Sequence, residues 1–251
     1  MENSPFYITL PSNASKDMFP DNQISSYTVK LAKPVDLKGP WEVALTEIQY
    51  PRTWNTFTKA DVKFHIKRPQ DALTYNLSFP HGYYPTVATV VDAINKSIAS
   101  TEAYANIYLV LDHVRRKVVL KAPEFSTVFK CSGKLQRVLG TVQHNQRQMD
   151  PDPTCPDING GFYTLYVYSD IVEPQRVGDS YSPLLRWVPV QGENNTMVNI
   201  QHHKLDYVAI SKNHFDTITI MVYNDQSEPV AFKYGKVIVK LHLRPRREGD
   251  Y

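Results

Sequence analysis

The sequence has little of what marks several large classes of protein. Its two cysteines, Cys131 and Cys155, are too few for a disulfide framework and favour reduced, buried thiols. No apolar run approaches the roughly 18 residues of a membrane span, and the first residues, MENSPFYITL, lack the basic and apolar regions of a signal peptide. The formal net charge of +3 is small for 251 residues, so it requires no nucleic-acid partner but allows a local basic patch. We therefore expect no membrane span and no secretion by a signal peptide.

Motifs for catalysis and for cofactor binding are also missing. There is no Gly-x-Ser-x-Gly elbow, and neither cysteine lies in a protease signature. His202 and His203 are adjacent, so on a strand they would point to opposite faces and could not easily share one metal ion. We therefore expect that the protein is not an enzyme, with no catalytic, metal-binding or cofactor-binding residues.

What the sequence does contain is a dense series of strand patterns. Its 18 prolines and 16 tyrosines favour β structure with many turns. Alternation of apolar and polar residues is clearest at residues 62–67 and 236–243, and about ten strands are predicted in total. Only two segments have helical spacing, residues 85–100 with Thr86 as N-cap and residues 132–139 before Gly140.

This order of elements predicts the fold class. Parallel βαβ folds need a helix between most strands, and those helices are missing. We predict an all-β protein, a single jelly-roll antiparallel β-sandwich with one or two short helices inserted between strands. A sandwich of this length can close as one domain, so we assign residues 1–243 to a single jelly-roll domain and residues 244–251 to a polar C-terminal tail.

The most apolar part of the chain lies between Gly161 and Gly192. Residues 162–169 alternate rings and aliphatic side chains with almost no charge, and a second apolar run follows at residues 184–190. Such a strand is covered on both faces, or has one face in the core and one against a partner. We name Tyr163, Tyr166 and Tyr168 as candidates for a subunit interface, although an ordinary sandwich core explains these strands equally well.

Basic residues form two clusters. Arg115, Arg116 and Lys117 lie at a predicted hairpin tip, where we expect a solvated turn. The arginines that close the last strand are candidates for contact with nucleic acid or an acidic partner through charge attraction: Arg244, Arg246 and Arg247.

Five motifs, taken together and in order, carry a family resemblance. They are TLPSN-x-S (Thr9 to Ser15), FPDN (Phe19 to Asn22), LxxPxxLxGxWEVALxEIxYP (Leu31 to Pro51), YVYSDIVEPQ-x-VGDS-x-x-PLLR (Tyr166 to Arg186) and FKYGKVIVKLHLR (Phe232 to Arg244). In this set the chain resembles the minor capsid, or penton, proteins of Polinton (Maverick) elements and adintoviruses. The resemblance covers most of the chain.

The resemblance implies a structural role in a virion. It implies a single jelly roll that forms a homopentamer at the fivefold vertices of an icosahedral capsid and contacts double-jelly-roll major capsid proteins. It implies no catalytic residues, and it leaves the residues of the fivefold interface open. Synthesis in the host cytoplasm or nucleus and contact with the packaged nucleic acid accompany this interpretation.

Two other functions stay open at this point. A receptor- or glycan-binding β-sandwich is the first alternative, because jelly rolls often serve as lectin-like modules, and it predicts a shallow site lined by exposed Tyr or Trp. A hydrolase or nuclease is the second, and it would need clustered acidic residues or His in a pocket.

Overall fold

The computed structural model describes residues 4–71, 74–124, 126–131, 133–144 and 154–246. The strands are, in chain order, β1 (Phe6–Pro11), β2 (Ser26–Asp36), β3 (Trp41–Pro51), β4 (Lys63–Lys67), β5 (Tyr75–Ser78), β6 (Tyr108–Asp112), β7 (Lys117–Lys121), β8 (Val128–Cys131), β9 (Val142–His144), β10 (Thr164–Ser169), β11 (Gln175–Val177), β12 (Ser180–Ser182), β13 (Leu184–Pro189), β14 (Met197–Gln201), β15 (Val208–Ala209), β16 (His214–Tyr223) and β17 (Ile238–Pro245). The helices are α1 (Val87–Ala99), α2 (Gly133–Leu139) and a 3₁₀-helix (Glu102–Tyr104). The described residues contain seventeen strands, so the prediction of about ten strands is wrong. Several strands have only two to five residues, which is too few for a clear alternation in the sequence.

The chain forms two compact units. Residues 4–54 and 162–246 make the first, which contains β1–β3 and β10–β17, and residues 55–161 make the second, which contains the remaining strands and all the helices. The second unit is thus inserted between β3 and β10. The region predicted as one domain, residues 1–243, contains both units, and its boundary stays a prediction.

The first unit is a jelly-roll sandwich. One sheet has the strand order β1–β17–β3–β14, with β15 also paired to β3, and the other has the order β13–β10–β16–β2. All neighbouring strands in both sheets are antiparallel. Along the chain the eight main strands alternate between the two sheets, except that β10 and β13 are neighbours in one sheet, and this gives the two four-stranded sheets of a jelly roll. The predicted fold class is therefore confirmed.

Period-two alternation explains why the sandwich has one core. In β10 the side chains of Leu165, Val167 and Ser169 are buried, whereas those of Tyr166 and Tyr168 lie on the outer face and are half-buried. The inner faces of the other strands meet these residues in a single hydrophobic cluster.

A tyrosine joins the two sheets across this core. Tyr27 of β2 is fully buried, and its hydroxyl donates a hydrogen bond of 3.0 Å to the carbonyl of Leu10 in β1. Burial raises the pKa of Tyr27 far above its usual range, so the phenol is neutral at any ordinary pH.

The N-terminal motifs cover an edge of the second sheet. The backbone groups of Thr28 in β2 point away from β16, and the side-chain amide of Asn22 binds both of them, accepting from the N–H at 2.9 Å and donating to the C=O at 2.8 Å. The hydroxyl of Ser15 accepts from the N–H of Lys30 at 3.0 Å. These side chains occupy backbone positions that an additional strand would otherwise use.

The second unit has its own hydrophobic core. It contains the antiparallel sheet β5–β4–β8 and the sheet β6–β7–β9, in which β9 is parallel to β7. Helix α1 buries Val90, Val91, Ile94 and Ile98 against these strands, the side predicted from the sequence. Its N-cap is Thr86, whose hydroxyl accepts from the Thr89 N–H, so this prediction is confirmed.

Helix α2 ends where the sequence predicts. Gly140 has φ +65°, and a Cβ on it would lie 2.2 Å from the carbonyl oxygen of Thr154. Only glycine therefore fits at this helix end. Ser132, the predicted start, lies outside the described residues.

The two cysteines differ from each other. Both are free thiols. Cys131 is half-buried, and burial raises the pKa of its thiol to about 12, as expected for an unreactive structural residue. Cys155 is exposed, so the expectation of two buried thiols is wrong, because it lies in a polar segment that packs little apolar surface.

In the described part of the chain, no helix has both the length and the apolar character needed to cross a membrane.

We expect Asn22→Ala to lower the free energy of unfolding by about 1–2 kcal/mol, because Thr28 loses two hydrogen bonds at the edge of its sheet. Chemical denaturation measures this change. Asn13→Ala, an exposed asparagine of the same loop, is the matched control and should change stability by less than about 0.5 kcal/mol. Equal effects of the two substitutions would contradict the role given to Asn22.

Candidate functional site

The outer face of the second sheet carries four aromatic side chains and a methionine, which together we call the aromatic face: Tyr166, Tyr168, Trp187, Met221 and Tyr223. Trp187, Tyr166 and Tyr223 lie opposite one another on β13, β10 and β16, and Tyr168 and Met221 form the next row. Residues directly opposite in antiparallel strands share a face, so these side chains are contiguous.

The aromatic face is only partly covered by its own chain. Trp187 is 61% exposed, whereas Tyr166, Tyr168, Met221 and Tyr223 are half-buried. The rings of Tyr168 and Tyr223 meet edge to face with centroids 5.6 Å apart. An open groove of about 240 Å³ lies here, lined by Tyr168, Pro183, Met221, Tyr223 and Ser227. A surface of this composition resembles the centre of a protein–protein interface.

The three tyrosines named from the sequence fall in or next to this face. Tyr166 and Tyr168 point outward from β10. Tyr163 lies just before the strand and is 54% exposed, and its backbone N–H donates to Asp225 at 2.7 Å. The structure therefore brings Tyr166 and Tyr168 together, while Tyr163 lies at the border. Their role in an interface stays a prediction.

The outer face of the first sheet carries a second group, which we call the cationic ladder: Tyr7, Tyr207, Lys240, His242 and Arg244. Val239, Leu241 and Leu243 of β17 are buried, so the residues between them face outward. Tyr7 of β1 is 60% exposed and stacks on His242 with ring centroids 4.6 Å apart.

Cations and rings alternate along the ladder. The ammonium of Lys240 lies 5.3 Å from the Tyr7 ring centroid, and the guanidinium of Arg244 lies 3.7 Å from that of Tyr207. The Tyr207 hydroxyl and Nδ1 of His242 form a hydrogen bond of 2.7 Å. Each cation is therefore attracted to the face of a ring, which holds these long side chains in place.

Charge and burial decide the protonation of the histidine. Burial, and second the positive charge of Arg244, lower the pKa of His242. His242 is therefore neutral at pH 7, which leaves its Nδ1 able to accept a hydrogen bond from the Tyr207 hydroxyl.

The arginines named from the sequence have different environments. Arg244 donates from Nε to Oε1 of Glu42 at 2.5 Å, and the Glu42 side chain is only 9% exposed. It lies in β17, as does Pro245. Arg246 is exposed, and Arg247 lies outside the described residues. Contact of these arginines with nucleic acid or a partner stays a prediction, and for Arg244 a structural role is already evident.

Histidines and acidic residues do not form a metal site in the described residues. No group of three or more His, Cys, Asp or Glu side chains lies close enough there to hold an ion. His202 is half-buried and His203 is exposed, just after the end of β14. Burial, and second Arg186, lower the pKa of His202. Asp206 carries the nearby negative charge and pairs with Arg186 at 3.1 Å.

Sequence reasoning missed most members of both groups. Trp187, Met221 and Tyr223 occupy outward positions of strands whose pairing with β10 is long-range. Tyr7 and Tyr207 reach His242 from distant parts of the chain. The one available signal was the presence of rings at the polar phase of an alternating strand, as at Tyr7 beside Ile8.

Comparison with known proteins is informative at the level of structure. No protein-family model matches the chain, and no curated protein sequence matches it either. Among solved structures, the fold is similar to that in the crystal structure of selenomethionine-labelled mavirus penton protein, with a TM-score of 0.55 and 12% sequence identity. The similarity covers 96% of this chain and 99% of that chain. The protein therefore has a penton-like fold.

We expect Arg244→Ala to lower the free energy of unfolding by about 2 kcal/mol, because the largely buried carboxylate of Glu42 loses its charged partner. Lys236→Ala, on an exposed cation just before β17, is the control and should change stability by less than about 0.5 kcal/mol. Denaturant titration measures both. A loss confined to Lys236→Ala would be the reverse of what the structure requires.

We also expect stability to fall as the pH drops below 6.5. His202 and His242 have lowered pKa values in the folded state, so below 6.5 the unfolded chain binds more protons and is favoured. Comparing the free energy of unfolding at about pH 7.5 and about pH 5.5 tests this. His202→Gln with His242→Gln should flatten the difference, and His203→Gln, on an exposed residue, should leave it unchanged.

Proposed function

We propose that the protein is a structural minor capsid (penton) protein without enzymatic activity. It forms a homopentamer at the fivefold vertices of an icosahedral capsid and contacts a double-jelly-roll major capsid protein. Its location is the virion capsid, in a particle of the Polinton (Maverick) or adintovirus type that the sequence motifs indicate.

The observation that carries this proposal is the extent of the structural similarity. The match to mavirus penton protein takes in almost the whole of both chains, the inserted residues 55–161 included. A generic jelly roll would match over the sandwich alone. The ordered sequence motifs are a second support, and all five lie in the residues of the first unit.

The surface of the sandwich also supports a subunit in an assembly. A ring of identical subunits needs two different patches on each copy. The aromatic face and the cationic ladder are two such patches, and both expose large rings that an isolated protein gains little from exposing. The proposal assigns Tyr166, Tyr168 and Trp187 to contact between subunits.

The alternative of a receptor- or glycan-binding module finds less support. The larger groove of the second unit, about 560 Å³, contains one ring, that of Tyr84, whose hydroxyl is engaged with the carbonyl of Pro80 at 2.6 Å. The rest of its lining is small, hydroxyl-bearing or charged: Ser78, Thr89, Asp92, Ala93, Lys96, Ser97 and Ser100. Exposed tyrosines lie on both units, but those of the second unit, Tyr75, Tyr83 and Tyr108, do not line this groove, so we favour the assembly role.

Light scattering after size exclusion, with negative-stain images of the peak, tests the proposal. We expect a species of five times the chain mass and rings with fivefold symmetry. A stable dimer or trimer would exclude a fivefold vertex and favour the binding-module alternative.

We expect Trp187→Ser to weaken the association by about tenfold or more, because a largely exposed Trp in an apolar patch is a typical hot spot. Tyr181→Ser is the matched control: Tyr181 is 68% exposed but lies on the β11–β12 hairpin, outside the aromatic face. Concentration-dependent light scattering measures the shift, and thermal melting verifies that both variants fold. Equal pentamer stability in the two variants would remove Trp187 from the interface.

A further inference from the structure

The aromatic face and the cationic ladder lie on opposite sides of the same sandwich. The inner faces of the two sheets share one core, as the burial of Val167 in β10 and Leu241 in β17 shows. Tyr166 and His242, each next in sequence to one of these residues, therefore point away from each other. A copy of the chain thus presents one patch on each of two opposite sides.

The cationic ladder is a poor partner for itself. Two copies meeting ladder to ladder would bring Lys240 and Arg244 against the same cations of the neighbour, and like charges across an interface are unfavourable. Glu42 faces Arg244 and is already engaged with it, and Glu47 of β3 lies opposite Lys240. A self-complementary contact would have to share these few carboxylates among the cations of both copies, so it is disfavoured.

The aromatic face offers the chemistry that the ladder lacks. Its exposed indole, Trp187, is the ring type that attracts cations most strongly. The carboxylates of Asp225 and Glu228 lie in the turn directly after Tyr223, and both residues are exposed. Two lysines near the sheet have their charges balanced, since Lys30 is paired with Asp216 and Lys212 with Asp170. The face therefore presents rings and negative charge to a partner.

From this complementarity we propose that copies of the chain associate head to tail, with the aromatic face of one copy against the cationic ladder of the next. This inference rests on the proposed function and names the two surfaces that close the ring. A head-to-tail contact repeated about an axis gives a closed ring, and it uses both patches of every subunit. Trp187 and Tyr7 are the most exposed rings of the two patches and lie at the centre of the contact.

A mixing experiment tests the pairing. Trp187→Ser removes the aromatic face of one copy and leaves its ladder intact, and Tyr7→Ser does the opposite. Each variant alone should be monomeric at concentrations at which the unmodified chain forms rings. An equimolar mixture should contain a species of twice the chain mass, because only one intact contact can form and it cannot be extended. Sedimentation measures these masses. A concentration series is needed because a single contact is weaker than the same contacts in a closed ring, so the dimer forms only at higher concentration.

The remaining outcomes overturn the pairing. If the unmodified chain forms rings and the mixture contains only monomers up to the highest soluble concentration, the pairing is wrong while the proposed function stands. If either variant alone still forms rings at the same concentrations as the unmodified chain, its face is not in the contact. If the unmodified chain is monomeric at every concentration, self-association fails and the proposed ring fails with it.

A second pair of variants guards against misfolding. Lys240→Glu replaces one of the two cations of the ladder by an anion and keeps Tyr7, and Met221→Ser reduces the aromatic face and keeps Trp187. The mixture of these two should again give the dimer. Tyr181→Ser mixed with either variant should give the same masses as the unmodified chain mixed with that variant, since Tyr181 belongs to neither patch.

Discussion

The fold depends on one shared core between two sheets. Every strand of the sandwich must place alternate side chains in that core, and Tyr27 shows how strict the requirement is: its ring is fully buried and its hydroxyl still finds the Leu10 carbonyl of the opposite sheet. The same alternation leaves the other half of each strand facing outward. The two outer faces are therefore determined by the packing that stabilises the fold, and the proposed function uses the side chains that point away from the core.

Much of the fold could be predicted from local pattern. The helix with its stripe from Val90 to Ile98 is where its spacing places it, with Thr86 as cap, because both signals lie within a few residues. The antiparallel pairing of β10 with β13 follows from two apolar runs joined by a short polar connection. The jelly-roll class followed from the scarcity of helices. Each of these inferences needs only neighbours in the sequence.

The division into two units and the composition of the two faces could not be predicted. Trp54 and Phe162 flank the inserted unit; a polar, proline-containing stretch at residues 143–156 precedes the second junction, but the first junction has no comparable stretch, so the sequence does not mark both ends of the unit. The cationic ladder joins residues from the start, the later part and the end of the chain, Tyr7, Tyr207 and Arg244, through contacts that only strand pairing creates. A sequence with no aligned relatives contains no signal for such long-range partners.

The loop before β2 has a consequence for how copies of the chain can meet. Asn22 fills the hydrogen-bonding places of Thr28, and Ser15 takes that of Lys30, so this strand offers no open row of backbone groups there. Crowded copies therefore meet side chains at this edge of β2, which hinders a strand of another molecule from pairing there. At this edge, contact between copies is left to side chains.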